Sequence, residues 1–156
     1  MELSAHLELS EMIRSERAKR LGISNMPTEE HLKNMKIWAK NIFEPIRNHF
    51  GRPIYLSSGY RSHALNIATP GSSSTSQHCT GEAGDIDMDG TEITNAEIFD
   101  FVRKNLDFDQ LIWEFGNDKN PAWVHVSYEA TEGVFQRKQI LKGIKVNGVT
   151  KYLPYK

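Results

Sequence analysis

Two short stretches of alternating character constrain the fold of this chain most. In Gly84-Asp85-Ile86-Asp87-Met88 a period of two sets Ile86 and Met88 on one face and Asp85 and Asp87 on the other. In Trp123-Val124-His125-Val126-Ser127-Tyr128 it sets Val124, Val126 and Tyr128 against Trp123, His125 and Ser127. Such segments read as strands with one aliphatic face on a core and one polar face turned to a cleft. His78, in Ser76-Gln77-His78-Cys79-Thr80-Gly81-Glu82-Ala83, is read as part of an extended lead-in to the first strand. Two imidazoles and a carboxylate then form a three-ligand set that suits one zinc ion with a fourth position open to water. Spacing alone is equally compatible with a hydrogen-bonded pair of His78 and Asp85 and an exposed His125. His6, His31, His49 and His63 lack comparable company and are expected on the surface or on helix faces.

The 156 residues suit one domain, long enough to bury a core without staples. Lys plus Arg (19) nearly cancel Asp plus Glu (20), and no basic run interleaves with aromatics. Nucleic acid is therefore not an expected partner, and a neutral or zwitterionic substrate fits better. Cys79 is the only cysteine, which excludes an internal disulfide. Neighbours in an extended segment point to opposite faces, so Cys79 is expected as a buried small hydrophobe rather than a ligand beside His78. The first residues carry no cationic and apolar leader, and no run is long enough to span a bilayer. The expectation is a cytoplasmic product as synthesised, without membrane insertion, and a monomer.

Helical spacing is expected from Leu9 to Leu21, stopped by Gly22. A clearer helix follows, capped by Thr28, with Glu29 and Glu30 at its positive end. Its core face is Leu32, Met35, Trp38, Ala39, Ile42, Phe43 and Ile46, and Pro45 implies a kink or break. Ile54–Ser58 reads as a strand, and Thr69–Thr75 as a loop, either a plain connection or the rim of the site. Thr94 and Glu97 form a capping box, with Ile93 and Ile98 as its staple. Gln110–Phe115 and Trp123–Tyr128 follow as strands, with Trp113 sharing a core face with Leu111 and Phe115. Asn147-Gly148 favours a type I′ turn in a last hairpin. The class is α+β, with N-terminal helices packed on a mostly antiparallel sheet.

The chain resembles the peptidase M15 family through Ser57-Ser58-Gly59-Tyr60-Arg61-Ser62, Asn66, Ser76-x-His78-x-x-Gly81-x-Ala83-x-Asp85-Ile86 and Trp123-Val124-His125-Val126-Ser127. Leu9–Ser15 and Asn25-Met26-Pro27 extend the similarity to the N-terminal part. That family comprises zinc D-Ala-D-Ala carboxypeptidases and L-alanoyl-D-glutamate endopeptidases, many phage-encoded, with the fold of the Hedgehog signalling domain. The resemblance implies a single zinc peptidase domain over 1–156, with a family-like core at about 8–130 and a C-terminal β-hairpin extension at about 134–156. It makes His78, Asp85 and His125 the ligands of one zinc ion and Arg61 the group that holds the substrate carbonyl. Its substrate would be a peptidoglycan stem peptide, and its site of action the bacterial cell wall. Ser58, Tyr60 and Asn66 are expected either to orient Arg61 or the substrate or to hydrogen-bond the turn that presents them, Ser76 either to contact substrate or to cap a loop, and Trp123 either to wall the cleft or simply to pack.

The family's general base is not carried over. Many relatives place a glutamate three residues before the last histidine ligand, where this chain has Ala122, and others a histidine two residues before it, where it has Trp123. Glu114 is the candidate on geometric grounds, against the alternatives of a partner that orients a histidine ligand and of an exposed charge on the strand. If the two strands pair with Glu114 opposite Trp123, Ile112 faces His125 and Glu114 lies on the diagonal from His125, a Cα separation of about 7–8 Å. Asp87 and Glu129 are weaker substitutes. The expected function is zinc-dependent hydrolysis of a wall peptide, and the alternative that Ala122 motivates is a non-catalytic, zinc-stabilised binding module.

Overall fold

The computed structural model describes residues 1–156. Glu2–Ser4 (β1) and Leu7–Glu8 (β2) form a small antiparallel ribbon that leads into the helices. The helical stretch expected from Leu9 to Leu21 is two helices, Leu9–Ile13 (α1) and Glu16–Leu21 (α2). Arg14 and Ser15 between them are extended because the Ser15 hydroxyl caps α2 by accepting the Ala18 N–H at 3.1 Å. Gly22 ends α2 in the left-handed conformation, as expected.

Thr28 accepts the His31 N–H and opens Glu29–Trp38 (α3). The interruption expected at Pro45 is a π-helical turn over Ala39–Phe43, just ahead of the proline. That turn lets the helix continue as Glu44–Phe50 (α4), although Pro45 has no N–H to donate. Met35, Trp38, Ala39, Ile42, Phe43 and Ile46 are all buried on one face, with Leu32 partly buried at its edge.

That face packs on the main sheet, built from Leu56–Ser58 (β3), Ala83–Ile86 (β4), Gln110–Glu114 (β5), Trp123–Ser127 (β6), Gln139–Val146 (β7) and Val149–Pro154 (β8). The spatial order is β3-β4-β6-β5-β7-β8, and every neighbouring pair is antiparallel except β5 with β7. His63–Ile67 (α5), a one-turn helix not anticipated from the sequence, follows β3 and is capped by Ser62. Asn95–Asn105 (α6) carries the Thr94–Glu97 capping box, with Ile93 and Ile98 buried beside it. Asn147 and Gly148 both have positive φ, as a type I′ turn between β7 and β8 requires. No helix is long and apolar enough to cross a membrane.

One contact seats the helices on the strands that matter. Trp38 is fully buried, and its indole N–H donates to the Val126 carbonyl on β6 at 3.0 Å. Its six-membered ring lies over Gly84 on β4, where a Cβ would stand 2.5 Å from Cζ2 and 2.6 Å from Cη2. Gly84 pairs with Val126, so one indole rests on two adjacent strands at once. We predict that Gly84→Ala destabilises the fold by about 1–3 kcal/mol, the cost of overpacking a filled core. Urea denaturation would read the loss, and an unchanged midpoint would contradict this account of the notch.

Candidate functional site

The three residues expected to hold an ion come from three pieces of chain. Asp85 on β4 and His125 on β6 are direct cross-strand partners, so their side chains rise side by side from the face opposite the core. His78 does not lie on an extended segment, contrary to expectation. It sits in a 3₁₀ turn, Gln77–Thr80, which turns the chain over the end of β4. The Ser76 hydroxyl caps that turn at the His78 N–H, Gly81 ends it, and Asn34 of α3 donates to the Thr80 carbonyl. Because the segment is a turn, Cys79 is half-buried rather than fully buried, and burial raises its thiol pKa above the ordinary value.

The donor atoms converge. One oxygen of Asp85 lies 3.3 Å from His78 Nε2 and 3.1 Å from His125 Nδ1, and one donor atom from each residue falls within 4.8 Å of the others. In a tetrahedral zinc site with N and O ligands, donor atoms stand about 3.4 Å apart, so the two short edges fit the ion. His78 Nδ1 lies 2.6 Å from the Gly59 carbonyl oxygen, an arrangement that places the proton on Nδ1 and leaves Nε2 for the metal. Exposure is low throughout, 3 % for the His78 side chain, 10 % for His125 and 15 % for Asp85. Burial alone would raise the Asp85 carboxyl pKa. The two imidazoles outweigh it and hold that carboxyl well below the usual carboxylate range.

Arg61 is tied to the turn that carries His78. Its N–H donates to the His78 carbonyl at 3.1 Å and its guanidinium to the Ser76 hydroxyl at 3.3 Å. It makes no ion pair, and its Nε is buried without a partner. Asn25, which sequence reasoning passed over, grips both flanks of the arginine. Its Nδ2 donates to the Tyr60 carbonyl and its Oδ1 accepts the Ser62 N–H at 2.7 Å. The Asn25-Met26-Pro27 similarity was the available signal.

The other expected contacts divide. Ser58 pairs with Asp85 across β3 and β4. Ser76 ties Arg61 to the His78 turn. Tyr60 is buried in the core with its hydroxyl on His31 Nδ1 at 3.0 Å, and Asn66 is buried with its amide donating to the Ser73 carbonyl at 2.8 Å. These two hold the turn and the rim loop. Asp87 accepts from Asn95 and the Asp89 N–H in a turn, and Glu129 lies beyond β6 against Thr131.

The β5–β6 register is the expected one, with Glu114 opposite Trp123 and Ile112 opposite His125. Phe115 does not share the core face of Trp113. Its φ of 56° turns it out of the strand and its ring meets Trp123 at 5.4 Å. Glu114 is 6 % exposed. Burial and then the Asp85 charge push its pKa up to about 7, against attraction from His125, Tyr152 and Trp123. A divalent cation at the three-ligand set would pull it back down. Oε1 of Glu114 and Nε1 of Trp123 are buried without a hydrogen bond of standard geometry. The arrangement thus joins three convergent donor side chains, a guanidinium without an ion pair and a buried carboxyl, groups of the kinds that hydrolysis of an amide uses.

A family model described as Peptidase M15 matches residues 5–127. No curated protein matches the chain.

The Glu114 pKa gives a stability prediction. Between the ordinary value of 4.5 and about 7 the native state keeps a proton that the unfolded chain has released, so stability falls as pH rises through that window. Metal-free Glu114→Gln should therefore gain on the parent between pH 5 and 8, by up to about 3 kcal/mol. Urea titrations at both pH values would check it, and a constant gap would refute the burial of a charged carboxylate.

Proposed function

The chain belongs to the peptidase M15 family, and we propose that it is a zinc-dependent peptidase hydrolysing a bond in peptidoglycan stem peptides, in wall lysis or remodelling. The observation that carries this reading is the convergence of His78, Asp85 and His125 within 4.8 Å, with the two edges to Asp85 at lengths that suit zinc. M15 peptidases are zinc enzymes, and these three side chains would hold the ion. When bound, zinc supplies an acidified water and a Lewis acid at the substrate carbonyl.

The remaining roles fall to the chain itself. The Arg61 guanidinium, without a carboxylate of its own, is free to stabilise the oxyanion that develops as the amide is attacked. Glu114 accepts the proton and passes it to the leaving amine, replacing the base that Ala122 cannot supply. Trp123 and Phe115 wall the cleft beside Glu114 and keep bulk water from it. Thr69–Thr75 borders the Arg61 side, where Asn66 and the Ser72 hydroxyl fix its course. Ser58 stands next to Asp85 and contacts the peptide beside the ion.

Digestion of purified sacculi, with products identified by mass spectrometry, tests the proposal. The zinc-loaded protein should release cleaved stem peptides, a chelator should abolish release, and added zinc should restore it. Glu114→Gln should lower the rate by about a hundredfold or more, the scale of a lost general base. Zinc binding without cleavage at any pH would instead favour a binding module, and full activity of Glu114→Gln would remove this residue from the mechanism.

A further inference from the structure

The family match ends at residue 127, yet the C-terminal hairpin reaches the carboxylate assigned as base. Glu114 on β5 pairs with Gly143 on β7, and Gly143 pairs with Tyr152 on β8. The three residues therefore stand in one row across the sheet, on the face that carries the site. Gly143 has no positive φ, so backbone conformation does not require a glycine there. Space does. A Cβ at this position would lie 2.9 Å from Glu114 Oε1 and 3.0 Å from Tyr152 Cε1. The missing side chain is the gap through which a glutamate and a tyrosine on strands two apart approach each other. A glycine inside a strand weakens it, and close approach of other groups is a common reason to keep one.

The carboxylate needs such a partner. Glu114 Oε1 is buried and has no hydrogen bond, a costly state for an acceptor that must also carry charge. Glu114 Oε1 and the edge of the Tyr152 ring both lie within 3.0 Å of the same point over Gly143, so the phenol borders the carboxylate without closing a bond of standard geometry. Catalytic hydrogen bonds are often loose before substrate binds and tighten in the complex. Tyr152 is about half exposed, so its ring has room for that small movement.

We propose that Tyr152 is a positioning residue for Glu114: its hydroxyl donates a hydrogen bond to the carboxylate across the Gly143 gap and aims the other oxygen at the attacking water. The C-terminal hairpin is thus a working part of the site rather than an appendage. This inference rests on the peptidase reading, in which Glu114 is the base.

The kinetic test uses the full-length, zinc-loaded protein. Tyr152→Phe keeps the ring and should lower kcat about tenfold, the kinetic weight of one hydrogen bond, with KM changed less than about twofold. In a Glu114→Gln background the same substitution should cost almost nothing further, because the two residues act as one unit. Unchanged kcat in Tyr152→Phe, or the same loss in both backgrounds, would overturn the proposal. A second reading does not depend on activity. With tyrosine labelled at Cζ with carbon-13, the Tyr152 resonance, identified by its loss in Tyr152→Phe, should move in Glu114→Gln more than those of the other four of the chain's five tyrosines. A resonance that stays in place would refute the pairing even if the protein cleaved no wall peptide, whereas a shifted resonance without cleavage would count only against the peptidase reading.

Discussion

The pairing of β4 with β6 is the constraint on which the rest depends. It puts Asp85 directly opposite His125, and a slip of one residue would turn one of them into the core. The register is pinned from behind. Trp38 fills the notch at Gly84 and bonds the carbonyl of Val126, the residue paired with that glycine. Ile86 and Val124 lock the next step of the ladder against the same core. Rigidity on the apolar face becomes precision on the polar one, where two donor atoms must stay within a few tenths of an ångström of a coordinating distance.

The third member of the cluster is held differently. His78 belongs to a turn whose order comes from polar contacts: the Ser76 cap, the Gly59 carbonyl on its ring, the Arg61 N–H on its own carbonyl and Asn34 from the long helix. Asn25 closes the arrangement by gripping the peptide groups on either side of Arg61. The arginine and the histidine are therefore positioned by one hydrogen-bonded unit. Two imidazoles and a carboxylate in so small a volume are electrostatically satisfied without an ion, because Asp85 bridges both rings. An ion would replace the bridge with three bonds of its own.

Glu114 stands apart from that satisfied cluster. It is buried beside a second carboxylate and has an unpaired oxygen, a strained state of the kind found where chemistry is done. In the proposed mechanism a base on the neighbouring strand takes the place of one three residues before His125. Only the diagonal geometry of an antiparallel pair brings it within reach.

The sequence by itself determined the local elements and singled out the three side chains that converge. Alternation around Asp85 and His125, the caps at Thr28 and Thr94, the Asn147-Gly148 turn and the register that sets Glu114 against Trp123 were all legible, because each depends on neighbours in the chain or on a single hairpin. The 3₁₀ turn at His78, the break between α1 and α2 and the outward turn of Phe115 were not, since short polar segments take whatever conformation their distant partners fix. Tertiary structure alone decided that β4 lies beside β6, that Asn25 reaches around Arg61, and that Gly143 opens a gap between Glu114 and Tyr152. These contacts join residues 9 to 44 positions apart, and no periodicity records them, because they arise from how strands are ordered in the sheet and not from any pattern along one strand.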